Sequence, residues 1–120
     1  MHTNHPKRDD IRLESVLMAF ANPLRLAAVW TIAQGDGYPS CSVLSHIPKS
    51  TMSHHWRILR DSGVVWQRQM GREYRLSLRR DDLDYRFPGL LDSILAPLTI
   101  DALTHNMIVA YNGEGQKVEI

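Results

Sequence analysis

The stretch STMSHHWRILRDSG, residues 50–63, decides how the chain is read. Met52, Trp56 and Leu59 recur at i, i+4 and i+7, the spacing of one face of an α-helix, and Gly63 is placed to end it. Pro48, just upstream, breaks whatever precedes and permits a new start. With Met52, Trp56 and Leu59 turned inward, Ser50, Thr51, Ser53, His54 and Arg57 fall on the other surfaces, toward the N-terminal half. The adjacent pair His54 and His55 invites a metal reading. Side chains at i and i+1 of a helix point about 100° apart, however, so the two rings do not easily share one ion.

The elements around this helix have clear signals. Leu13, Val16, Leu17 and Phe20 recur at i, i+3, i+4 and i+7 and predict a helix starting near Asp10. Asn22-Pro23 stops it and starts another, with Asn as N-cap and Pro at the first helical position, where its missing N–H has no partner in any case. Leu26, Val29, Trp30 and Ala33 form the expected stripe of that helix, which ends at Gly35-Asp36-Gly37. Ser40 can cap a short helix through Val43, Leu44 and Ile47. After Gly63 the period changes. Trp66, then Tyr74, Leu76 and Leu78, alternate with polar residues around Met70-Gly71-Arg72, which predicts a two-stranded hairpin. Asp81 or Asp82 is placed to cap a last helical region that Pro88 splits, with Leu90, Leu91, Ile94 and Leu95 on the second piece. Residues 1–9 have too little apolar content to fold and are expected to be a flexible N-terminal arm; residues 10–96 form the domain. Residues 97–120 are a C-terminal extension, either a small hairpin or a loosely held tail.

At 120 residues and 43% hydrophobic, the chain has the size of one small domain. No run approaches the roughly 18 apolar residues of a membrane span, and MHTNHPKRDD lacks the apolar region of a signal peptide. A single cysteine, Cys41, excludes an intrachain disulfide and fits a reducing compartment, so a cytoplasmic protein without membrane contact is expected. The net charge of +1 conceals a division. Residues 49–80 hold eight Lys or Arg against Asp61 and Glu73, a local +6; the remainder, with six basic and eleven acidic residues, is −5. Such a split suggests a polyanion partner. Its plain alternative is a solvated charged face.

A short helix, a tight break, a longer helix and a basic hairpin together describe a winged helix-turn-helix: a mainly α fold with a small β-hairpin wing. The second helix of that unit enters the DNA major groove, with its early residues toward the base edges. Short hydroxyls and nitrogen-bearing side chains suit that task, because they reach acceptors and phosphates without bulk.

The chain resembles the ArsR-type winged-helix repressors over residues 13–95. The resemblance is carried by ANPLRLAAV at 21–29, KSTMSHHWRILRDSGVV at 49–65 and GREYRLSL at 71–78. It implies that Ser50, Thr51, Ser53, His54 and Arg57 meet double-stranded operator DNA and that Arg68 and Arg72 bind phosphate beside the wing; Lys49, at the start of the same helix, is expected to join them. His55 falls on the family's frequent histidine of the recognition helix, and packing and phosphate contact are both open for it. Arg60 and Asp61 read as a solvated face. The helices at 13–20 and 90–95 offer more apolar surface than one small core needs. A homodimer through them is therefore expected, as the resemblance also implies.

The usual inducer sites of such repressors are not matched. The arsenic and lead pattern needs two or three cysteines before the recognition helix, where YPSCSVLSH has Cys41 alone. The zinc pattern needs Asp and His on the last helix, where DLDYRFPGLLDSIL has carboxylates and no histidine. We therefore expect no metal site and no cofactor. Cys41 lies where a helix N-terminus would lower a thiol pKa, and is read either as a redox thiol or as a small packed residue. There is no Gly-rich phosphate loop, HExxH or visible Ser-His-Asp set, so no enzyme is expected. The expected function is sequence-specific DNA-binding regulation by a homodimeric repressor released by an unidentified signal. The alternative is a winged-helix module that binds protein without specific DNA binding.

Overall fold

A computed structural model describes residues 5–35, 38–39, 44 and 46–98. Five helices and three strands are built from them: α1 (Leu13–Phe20), α2 (Pro23–Ala33), β1 (Tyr38–Pro39), α3 (Lys49–Asp61), β2 (Val65–Met70), β3 (Glu73–Leu78), α4 (Arg80–Arg86) and α5 (Leu90–Leu95), after a 3-10 turn at Arg8–Asp10. The fold is mainly α with an antiparallel hairpin after the helices, as expected for a winged helix. The short helix read at 40–47 lies largely outside the described residues, as do Cys41 and residues 99–120.

Local chemistry explains most boundaries. Asn22 caps α2 by accepting from the Leu24 and Arg25 backbone N–H groups at 2.8 and 3.2 Å, with Pro23 at the first helical position. Helix α3 ends in a Schellman turn: the Gly63 N–H donates to the Arg60 carbonyl and the Val64 N–H to the Leu59 carbonyl. Gly63 has φ +88°, and a Cβ there would sit 2.6 Å from Ile11 Cγ1, so only glycine fits. At the hairpin tip Met70 pairs with Glu73, leaving Gly71-Arg72 as the turn. Gly71 has φ +66° while Arg72 stays negative, which fits a type II′ turn.

Several features differ from the sequence reading. The sheet has a third strand: β1 pairs with β3, Tyr38 opposite Leu76, giving the order β1-β3-β2. On α2 the buried residues are Leu24, Arg25, Ala27, Ala28, Val29 and Ile32, whereas Leu26, Trp30 and Ala33 of the expected stripe are half-buried. The helix is central and covered on most of its circumference. Finally, α4 takes Arg79 and not an aspartate at its cap position. Asp82 instead receives Arg79 at 2.8 Å and Arg8 at 3.1 Å.

The core joins α1, α2, α3, the sheet and α5 through Val16, Phe20, Leu24, Ile32, Met52, Trp56, Leu59, Val65, Leu76 and Leu91. Residues 5–9, part of the stretch expected to be an arm, lie against the sheet and α4. The Gln67 N–H on the free edge of β2 donates to His5 Nε2 at 3.0 Å, and Arg79 donates to the Pro6 carbonyl at 2.7 Å. An otherwise open sheet edge is thereby partly covered. The His5 pKa is lowered, first by burial and then by Arg79, Arg60 and Arg68, which keeps Nε2 available as an acceptor.

Candidate nucleic-acid interface

Helix α3 has two unlike sides. Met52, Trp56 and Leu59 are buried, as the spacing predicted, and His55 joins them at 5% exposure. Lys49, Ser50, Ser53, His54 and Arg57 are exposed, and Thr51 is half-buried. Ser50, Ser53, His54 and Arg57 follow one another at i, i+3, i+4 and i+7, so they form one outward stripe. Ser53 Oγ donates to the Lys49 carbonyl at 3.0 Å, which leaves the exposed oxygen able to accept. No side chain caps the first turn, where Pro48 occupies the cap position. The leading N–H groups of a helix start favour an anion.

The paired histidines have separate environments. Their ring centroids are 5.5 Å apart at 60°, but His54 is exposed and His55 is turned into the core. His55 Nδ1 lies 3.1 Å from an Arg25 guanidinium nitrogen. Arginine has no acceptor, so Nδ1 accepts and any ring proton sits on Nε2. Burial, then Arg25, then His54, push the His55 pKa down to about 4, so the ring is neutral at physiological pH. His55 therefore takes a place among the buried residues of α3 rather than on its exposed stripe.

The hairpin supplies the second group of cations. Arg72 is exposed at the turn, and Arg68 is exposed with its guanidinium 4.6 Å over the Trp66 ring. Arg75, which the sequence reading did not single out, is the direct cross-strand partner of Arg68 and is also exposed. Like charges at opposed positions repel. Glu73, 3.0 Å from Arg75, offsets part of that repulsion. Among the described residues no three His, Cys, Asp or Glu side chains converge as a metal site. No single helix among them is long and apolar enough to cross a membrane.

A helix with a buried apolar side and an exposed hydroxyl and cationic stripe, leading through a glycine turn into a basic hairpin, defines the winged helix-turn-helix class. No protein-family model matches the chain. It is 30% identical over 89 residues to the uncharacterized HTH-type transcriptional regulator YceK of Bacillus subtilis, an alignment spanning 72% of this chain and 88% of that protein. The chain belongs to the helix-turn-helix (HTH-type) transcriptional regulators.

Proposed function

We propose that this protein is a cytoplasmic, sequence-specific repressor of ArsR type, acting as a homodimer on operator DNA. The observation that carries the proposal is the exposed stripe of α3, which combines hydrogen-bonding side chains of short reach with a cation, opposite a fully packed face. Ser53 and His54 are the base-reading candidates. Lys49, Ser50, Thr51, Arg57, Arg68 and Arg72 hold the backbone, and Arg75 stands beside Arg68 to share that role. His55 acts from behind the helix. The domain comprises residues 10–96, with residues 5–9 laid against it.

Dimerisation is supported by α1. Leu13, Leu17 and Met18 are 43, 47 and 64% exposed, an apolar surface that a second copy would cover. A two-fold dimer would present two α3 helices to half-sites one DNA turn apart, about 34 Å. The test is binding to fragmented DNA from the source genome at two salt concentrations, with sedimentation on the same sample. The expected outcome is a dimer that enriches particular fragments and loses affinity steeply with salt. A monomer, or uniform retention of all fragments, would contradict the proposal; no retention at all would favour a protein-binding module.

A further inference from the structure

Arg25 is the only charged residue of α2, and it is buried, at 7% exposure. Among the described residues no carboxylate pairs with it. Its guanidinium instead makes three hydrogen bonds: Nε to the Ala19 carbonyl at 2.8 Å, one terminal nitrogen to the Met18 carbonyl at 3.0 Å, and the other to His55 Nδ1 at 3.1 Å. The two carbonyls belong to the last turn of α1, where helix carbonyls carry partial negative charge; the Met18 carbonyl also accepts from the Ala21 N–H at 3.0 Å. The third partner lies in the middle of α3. One planar group therefore joins three helices.

We propose that Arg25 is the positioning residue of α3: it locks the pose of the DNA-facing helix to the C-terminal end of α1. The inference rests on the reading of α3 as the DNA-facing helix. Its physical basis is directionality. The apolar packing of Met52, Trp56 and Leu59 holds α3 in place but is indifferent to small rotations and slides. Hydrogen bonds from a rigid fork are not, since they weaken steeply with angle. Ser53 and His54 are two and one residues from the locked position, so any rotation of α3 carries them with it.

The choice of partner is informative. A carboxylate at position 55 would compensate Arg25 more strongly. It would also place a negative charge between His54 and Arg57, on the helix that must approach phosphates. A neutral imidazole accepts the hydrogen bond without that penalty. The lock also reaches the surface of α1: Met18, whose carbonyl it grips, carries one of the exposed apolar side chains. Whatever covers α1 is thus one backbone group away from the device that orients α3.

Two measurements test the proposal. Nitrogen-15 spectra of the full chain report the His55 ring directly, without DNA. The expected wild-type ring is protonated on Nε2 with no proton on Nδ1, and Arg25→Lys, whose ammonium cannot span the same three acceptors, disturbs it. A ring protonated on Nδ1 overturns the proposal. The second measurement is the ratio of selected-site to random-duplex binding, at a temperature where circular dichroism shows each variant folded. Base-edge hydrogen bonds set the scale, so Arg25→Lys and His55→Leu are each expected to lower that ratio about tenfold, with random-duplex affinity nearly unchanged. His55→Asn, which keeps an acceptor near the Nδ1 position, should recover most of the deficit. Arg25→Lys combined with His55→Leu should cost little more than either alone. An unchanged ratio in folded Arg25→Lys, or additive effects, overturns the proposal. If wild type shows no preference for any site, the DNA-reading function fails instead, and the ring spectra alone judge the lock.

Discussion

Helix α3 and the β2–β3 hairpin both expose cations, but they are held in different ways. The helix is fastened from behind by Met52, Trp56, Leu59 and the His55–Arg25 hydrogen bond, and closed by a glycine against Ile11. The outer half of the hairpin has its ladder, a stacked Arg68 and a Glu73–Arg75 ion pair, and its tip has open space around Gly71. A rigid element suits discrimination between bases, which fails with small misplacement. A compliant one suits phosphate binding, which tolerates it. The contrast makes separate predictions for the two regions.

The largest difference is expected in stability at the two glycines. Gly63→Ala combines a left-handed backbone with a Cβ driven into Ile11, and should cost about 2–4 kcal/mol. Gly71→Ala meets open space, so its cost is the backbone strain of the type II′ position alone, about 1–2 kcal/mol. Urea unfolding of both variants checks the pair. Equal destabilisation would mean that the two ends are equally constrained.

The next effect concerns acid. His55 has its pKa lowered to about 4 in the folded chain, against about 6.5 for an unperturbed histidine. Between those values the unfolded chain binds more protons, so stability is complete above pH 6.5 and falls as pH drops toward 4. The expected fall between pH 7 and pH 5 is roughly 2 kcal/mol. His55→Asn should fall by that much less over the same interval, which separates His55 from the other titrating groups. A wild type and variant with parallel pH profiles would show that His55 is not buried in the neutral form.

The parts legible in the sequence were those coded by neighbouring residues. The Asn22-Pro23 start of α2, the i, i+4, i+7 face of α3, the Gly63 stop and the turn at Gly71 all follow from chemistry within a few positions. What was missed depends on distant partners. The two-residue strand at Tyr38–Pro39 has no periodicity of its own and exists by pairing with β3. His5 and Pro6 look like tail residues until Gln67 and Arg79 reach them. The partner of His55 was not legible because Arg25 stands thirty positions away. A signal for Arg25 did exist: it stands at i, i+3, i+4 and i+7 with Ala28, Val29 and Ile32, an arginine on an apolar stripe.

The hairpin yields a smaller effect. Arg72 is exposed at the turn, so Arg72→Ala should leave stability within about 0.5 kcal/mol of wild type. If it neutralises a phosphate, the slope of log affinity against log salt should shrink by roughly 1 for each phosphate no longer neutralised, on selected and random duplexes alike. An unchanged slope would remove the wing tip from the interface.

The central claim is that the exposed stripe of α3 reads sequence while the wing holds the backbone. It is tested most directly by competition between a selected site and random DNA for wild type, His54→Ala and Arg72→Ala. A base-edge hydrogen bond is worth about 1–3 kcal/mol of discrimination, so His54→Ala should lower the selected-to-random ratio about five- to hundredfold. Arg72→Ala should weaken both duplexes and leave the ratio where it was. A wild-type ratio in His54→Ala, or an equal fall in both variants, would contradict the division of labour between helix and wing.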